Sequence, residues 1–465
     1  MMKNLIIFLL LVVSNFLYAQ EGYKIMVNIT NTDDTSMMLA YYFGNKIKVE
    51  KKIKTGNSGK YVFEGDKKLP GGVYMIVNGD QSKLFEFIVN DRQQFALSTS
   101  APDYSTNMKV KKSEENKLFF RYLLFNESIY KSIKKLNDSL KGFDKGSSDY
   151  KNLISQRDSL GGILEVYKKE VIERNKGTFF STLLKAMEEV KIPDSIQNSS
   201  NSLLPYLYYK KHYWDHFDLS DSRLLRTPLY DKKIKDYFKN LVALDPDSVI
   251  NDINRVVKLA GPNKETVSYL VWYFTSEYQN PKYVGFDKVF VWLVDNYFKK
   301  MDIAFTTPSI LESLESRANT LRPLLIGKEA PNLILMDTTG NYISFLKLKK
   351  DYLILLFWDY DCSVCKREIN ELKKVLNEDT KYDIAVFAIN VNSDLEKWKK
   401  TIKSKGIDHW VNVNGTRSVT SDFHDIYDIG STPVIFLLDK DKKIIGKNIA
   451  ADKIIDYIDL YNTKK

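Results

Sequence analysis

Phe357-Trp358-Asp359-Tyr360-Asp361-Cys362-Ser363-Val364-Cys365-Lys366-Arg367-Glu368 is the stretch on which the reading turns. Ahead of it, Tyr352–Phe357 is an unbroken apolar run, as a strand buried on both faces should be. After it, Cys365, Ile369, Leu372 and Leu376 recur at helical spacing, so a helix opens at Cys362. A Cys-x-x-Cys at such a strand-to-helix turn has a chemical logic. The first sulfur meets the free N–H groups and the positive end of the helix dipole, which favour the thiolate. The thiolate is the attacking species in disulfide exchange. Cys365 follows about one turn later, close enough to resolve a mixed disulfide and better shielded from competing reactants. Asp359 and Asp361 work against the thiolate, because nearby negative charge disfavours it, so the expected activation of Cys362 is modest. Glu368 falls on the same helical side as Cys365. It reads either as a proton acceptor for the buried thiol or as a solvated helix carboxylate.

Toward the C-terminus, strands and helices alternate. Asp383–Ile389 and Val434–Leu438 are apolar strand runs, and Ile444–Ile449 is a further strand across the turn at Asp439–Lys443. Leu395–Lys405 and Ala451–Leu460 are amphipathic helices. That alternation predicts an α/β sheet with helices on its faces. Thr432-Pro433 leads into one strand, where a proline removes a ladder donor without benefit. A cis bond there would set the preceding backbone against a neighbouring loop, able to pair with a docked peptide. Most X-Pro bonds are trans, so the spacing alone leaves the isomer open.

Toward the N-terminus the pattern changes twice. From about 113 to 322 it is helical: Leu118, Tyr122, Phe125, Ile129, Ile133, Leu136 and Leu140 share one face. Further helices are expected near Tyr150–Asn175, Thr178–Val190, Ile234–Leu244 and Asp287–Lys300, punctuated by Pro193, Pro228, Pro246 and Pro262. From about 22 to 105 the period is two, as at Ile25, Val27 and Ile29, with turns at Asn31–Asp34, Gly56–Gly59 and Pro70–Gly72. Lys3, the apolar run Leu5–Val13 and Ala19 make a secretory leader, short for a membrane-spanning helix, which needs about 20 apolar residues, with an uncleaved anchor as the alternative reading. The expected fold is therefore multidomain. A leader (1–19) precedes an all-β sandwich-like module (22–110), a central α-helical module (111–322) and a C-terminal α/β domain (323–465).

Composition narrows the function. The 465 residues carry a formal net charge of +10, spread along the chain with no basic block, so a nucleic-acid partner is not expected. The two cysteines are the pair just described, and a bridge over so short a loop removes little unfolded-chain entropy. A redox or metal-binding role explains the pair better than stapling. Localisation in the periplasm or cell envelope follows from the leader.

The combination of motifs resembles the TlpA/ResA type of thioredoxin-like protein within the AhpC/TSA group. Ile326-Gly-Lys-Glu-Ala-Pro331, Asp337-Thr-Thr-Gly340, Phe357-Trp358 before the cysteines, Glu368 after them, and Ser431-Thr-Pro433 followed by Val-Ile-Phe-Leu-Leu-Asp439 carry the likeness. The resemblance implies a thioredoxin fold over 326–465 and disulfide reduction, with Cys362 as nucleophile and Cys365 as resolving thiol. It implies Pro433 as a cis-proline, Thr432 and Trp358 on the substrate side, and an acidic partner at Glu368. It implies protein thiol and disulfide substrates. No nicotinamide or flavin fingerprint is present, so no cofactor is expected, and a membrane redox relay is implied as electron donor. Asp361 stands where the family often has Trp, and Ser363-Val364 lack the proline often found between the cysteines. Residues 22–110 and the stretch around Tyr208–Asp221 resemble modules that precede such thioredoxins in exported Bacteroidetes-type proteins.

Three other readings compete. Peroxidase chemistry wants a Pro-x-x-x-Thr-x-x run before the cysteine, and Leu355 and Asp359 stand at those positions. A metal site would need more ligands than two thiols, with His424 or the His212/His216 pair as the remaining candidates, and no metal is expected. The third is an envelope binding or scaffold protein with an accessory redox domain, using the aromatic run Tyr206–Trp214 as a recognition patch.

Overall fold

The computed structural model describes residues 22–56, 59–378 and 381–463, so the leader expected at 1–19 lies outside the described residues. By internal packing the chain divides into two compact units. One comprises the residues up to Val242 with Lys258–Thr266, the other Ala243–Val257 with Val267–Lys465. The helical stretch contributes to both.

The first unit opens with eight strands: β1 (Tyr23–Thr30), β2 (Ser36–Phe43), β3 (Lys46–Lys54), β4 (Lys60–Gly65), β5 (Gly72–Asn78), β6 (Lys83–Val89), β7 (Gln94–Ser100) and β8 (Lys109–Lys111). They form two sheets, ordered β4-β1-β7-β8 and β3-β2-β5-β6. In β1 buried Ile25, Val27 and Ile29 alternate with more exposed neighbours, which is the two-residue period of a half-buried strand. Phe87 of β6 meets Phe95 of β7 edge-on at 5.9 Å, so the two sheets share one core.

Six helices complete this unit: α1 (Glu114–Leu140), α2 (Ser148–Arg174), α3 (Phe179–Ala186), α4 (Asp194–Gln197), α5 (Leu204–His212) and α6 (Leu229–Asn240). Ser113, Ser147 and Thr178 cap α1, α2 and α3 by accepting backbone N–H bonds of the first turn. Phe125 and Tyr167 pack at 4.1 Å between α1 and α2. Helix α3 is shorter than the expected 178–190. Helix α6 begins earlier than the expected Ile234, because Pro228 opens it. The aromatic run is divided: Tyr213 and Trp214 are buried against Tyr237, while Tyr206 and Leu207 stay exposed.

In the second unit lie most of α7 (Pro246–Ala260) and α8 (Lys264–Tyr278), then α9 (Asp287–Leu293) and α10 (Pro308–Leu321). Pro246, expected as a break, is the first residue of α7, where its missing N–H removes no intrahelical bond. The α-helix expected over Asp287–Lys300 ends at Leu293 and continues as a π turn, Val294–Phe298. Seven strands follow: β9 (Ile334–Asp337), β10 (Tyr342–Ser344), β11 (Tyr352–Trp358), β12 (Ile384–Asn390), β13 (Val411–Ser418), β14 (Val434–Asp439) and β15 (Ile444–Lys447). With them are α11 (Ser363–Glu378), α12 (Leu395–Lys405), α13 (Phe423–Tyr427) and α14 (Ile454–Thr463).

The sheet order is β10-β9-β13-β12-β11-β14-β15, a mixed sheet with thioredoxin-like topology. Strand β11 runs parallel to β12 and antiparallel to β14, and every residue of it is buried. Apolar clusters cover both faces of the sheet, one around Ile354, Trp358 and Trp398, the other around Leu353, Phe357 and Phe436. That two-sided burial is why Tyr352–Trp358 is uniformly apolar.

Candidate functional site

Strand β11 and helix α11 meet at Cys362. The chain leaves β11 at Trp358, turns through Asp359–Asp361, and enters α11 at Ser363. The Cys362 N–H donates to the Asp359 carbonyl at 3.3 Å, closing the turn. The Cys365 N–H donates to Cys362 Sγ at 3.1 Å, and the Lys366 N–H to the Cys362 carbonyl at 3.2 Å. Cys362 thus occupies the capping position of α11, with its sulfur accepting a first-turn N–H that has no partner within the helix. Both cysteines are unpaired thiols, Cys362 half-buried and Cys365 fully buried. Burial above all, and then its hydrogen bond with Cys362, push the Cys365 thiol up to about 12. At neutral pH it is therefore held protonated.

Register brings a second loop to this sulfur. Phe357 of β11 pairs with Val434 of β14, so the residues just before β14 lie beside the end of β11. The Thr432–Pro433 peptide bond is cis. Cys362 Sγ donates to the Thr432 carbonyl at 3.7 Å. Cys362, Cys365, Thr432 and Pro433 are thus brought together.

Glu368 is neither solvated nor aimed into the core. Its side chain is 16% exposed, and its Oε2 accepts the Ala451 N–H at 2.9 Å. With Val364, Pro433, Ile435, Asn448 and Ile449 it lines a cleft of about 460 Å³ beside the cis-proline. Trp358, expected on the substrate side, is 1% exposed and packs in the core cluster that also holds Cys365. A ring so placed supports the site from beneath. Val364, 41% exposed, is an apolar side chain on the wall of that cleft.

Lys397 of α12 was not foreseen. Its ammonium lies 2.7 Å from Asp361 and 4.7 Å from the Tyr360 ring centroid. The negative charge that adjoins Cys362 therefore carries its own counter-ion. No local pattern announces it, since the partners are 36 positions apart. Of the histidines weighed as ligands, His424 pairs with Asp422 at 2.7 Å, His212 with Asp215 at 2.6 Å, and His216 lies 3.8 Å from Glu188. Among the described residues no group of three or more His, Cys, Asp or Glu side chains is arranged to hold a metal.

Residues 326–447 match the AhpC/TSA family, and residues 164–314 match a domain of unknown function, DUF5106. Thiol-disulfide oxidoreductase ResA of Bacillus subtilis (strain 168) is 28% identical over 137 residues, 29% of this chain and 74% of that protein. ResA of a Bacillus cereus strain is 28% identical over 125 residues, 27% of this chain and 69% of its own length. A solved domain of a possible thiol-disulfide isomerase from Cytophaga hutchinsonii is 40% identical. It covers 30% of this chain and 96% of its own, with a TM-score of 0.29. A thioredoxin-like protein from Bacteroides caccae covers 59% of this chain and 98% of its own, at 18% identity and a TM-score of 0.45.

Proposed function

We propose, from the premise that this chain is a ResA-like thiol–disulfide oxidoreductase of the AhpC/TSA family with an extra domain, that it reduces protein disulfides outside the cytoplasm by dithiol exchange. Cys362 as thiolate attacks one sulfur of a substrate disulfide. The substrate S–S bond breaks, its leaving sulfur takes a proton, and a mixed disulfide forms. Cys365 then gives up its proton and attacks Cys362 Sγ, releasing the second substrate thiol. Two electrons pass to the substrate and the protein leaves as the Cys362–Cys365 disulfide. Glu368 on the cleft wall is the proton acceptor for Cys365, and the Thr432–Pro433 backbone receives the substrate chain. Leader-directed export (1–19) puts the protein in the periplasm or cell envelope, and a membrane redox relay returns it to the dithiol.

The observation that carries this reading is Cys362 Sγ at the start of α11, accepting the Cys365 N–H at 3.1 Å with the Thr432 carbonyl 3.7 Å away. Nucleophile, resolving residue and peptide-docking backbone then lie within one contact of each other. Cys362→Ser is expected to abolish disulfide reduction, and Cys365→Ser to accumulate mixed disulfides visible on non-reducing gels. Retained reductase activity in Cys362→Ser would sink the assignment.

A further inference from the structure

We propose that substrate polypeptides are held along a groove that continues past the cis-proline cleft to the loop Gln279–Gly285, and that Lys282 there selects substrates with acidic side chains flanking their disulfide. The proposal rests on the dithiol-exchange reading above and names a substrate class for it.

The cleft beside Pro433 does not end at its own rim. A second cavity, about 350 Å³, adjoins it within the same unit, and Asp428 and Asn448 line both. These two residues come from different loops and both have left-handed backbones, φ 56° and 53°. They form a shared threshold between the two hollows. Beyond it the lining includes Leu321, Leu324, Tyr427 and Phe436, an apolar bed for side-chain stems. The far wall is the loop Gln279–Gly285 between α8 and α9, inside the stretch that matches the domain of unknown function.

Charge decides which chain fits. Both carboxylates of the second cavity are already engaged, Asp428 by Arg317 and Asp287 by Lys447. Lys282 is exposed and forms no ion pair among the described residues, its ammonium standing 5.6 Å from the Tyr283 ring centroid. The uncompensated charge at the end of the groove is thus a cation on a flexible stem, and an acidic side chain of the bound chain is its complement. A peptide docked at Pro433 that crosses Asp428 and Asn448 enters the cavity whose lining includes Lys282.

The test uses the full chain and two peptides with the same disulfide, one flanked by glutamates and one by lysines. The unaltered protein is expected to reduce the glutamate peptide with the higher kcat/KM. Lys282→Glu is expected to lower that preference by about two- to fivefold, the scale of an exposed charge contact. Lys349→Glu, likewise exposed and outside the groove, is expected to keep the preference. An unchanged preference in Lys282→Glu overturns the proposal, and so does an equal loss in Lys349→Glu, which would mean general charge steering. Reduction of a small disulfide, oxidised 2-mercaptoethanol, separates the two levels. If it is reduced but neither peptide is favoured, the groove falls alone. If it is not reduced, the exchange reading falls and the groove with it.

Discussion

The two sulfurs of the site sit in different surroundings although three positions separate them. Cys362 caps a helix and borders Asp361, whose charge is balanced by Lys397 at 2.7 Å. Removing that balance leaves a bare carboxylate beside the Cys362 sulfur. Lys397→Ala should slow iodoacetamide alkylation of Cys362 by about two- to fivefold at low salt, with the gap narrowing at high salt. Equal rates would show that the pair does not bear on the sulfur. Cys365 is buried and its thiol is pushed up to about 12 from an ordinary 9.0. A raised value in the folded chain means that the native state binds more protons than the unfolded one between those limits. The reduced protein should therefore lose stability as pH rises from 9 toward 12, a loss absent below 9. Comparing urea midpoints of the reduced protein and Cys365→Ala across that range isolates the contribution, because the buried tyrosines that also titrate there are common to both. A parallel pH dependence in the two proteins would contradict it.

Helix α11 is capped by Cys362 and carries Cys365 and, one turn on, Glu368, and its burial pattern follows from its spacing. Cys365, Ile369, Leu372 and Leu376 were expected on one side; the first three are the buried residues of that helix, and Leu376 packs partly buried against the same cluster. Helix α12 has the limits Leu395–Lys405 that its amphipathic pattern suggests. Strand β13 was missed, and the reason is physical. Val411–Ser418 places Asn412 and Asn414 inside, where their amides bond to the carbonyls of Ile407, Trp410 and Asn392. Buried polar residues whose amides bond to carbonyls outside the strand give no apolar period to read. Lys397 was missed for the same reason, since its partner is fixed only by the fold. Trp358 was legible as part of the motif but not as a buried ring, because an apolar strand end reads alike whether it faces core or cleft. Glu368 tests what an element can do beyond position. Glu368→Gln keeps an acceptor for the Ala451 N–H but loses the charge. Its urea midpoint should stay close to that of the parent, while resolution of the mixed disulfide at neutral pH slows by at least about tenfold. Stability and resolution both unchanged would reduce Glu368 to a wall of the cleft.

At the scale of the second unit, the mixed sheet and the helical segment before it are joined by a buried ion pair. Lys447 of β15 bonds to Asp287 of α9 and donates to the Leu324 carbonyl at 2.8 Å, with both charged side chains nearly sealed from water. Such a pair adds little net stability over apolar residues of similar volume, yet losing one partner leaves a buried charge without compensation. Lys447→Met should thus destabilise the unit by about 3–5 kcal/mol, and Asp287→Leu by a comparable amount. The double variant should recover most of the loss, because no charge is then stranded. Urea unfolding of the four proteins gives the coupling directly, and additive losses would mean that the two residues do not depend on each other. The outcome bears on function through position. Asp287 and Lys447 both line the second cavity, and Asn448, next to Lys447, stands on the threshold to the cleft. A sheet edge tied to α9 in this way keeps the loop that precedes α9 in register with the cis-proline. Loosening the tie without refilling the core should therefore weaken reduction of polypeptide substrates more than of small disulfides. The double variant, repacked but uncharged, should bring polypeptide reduction back.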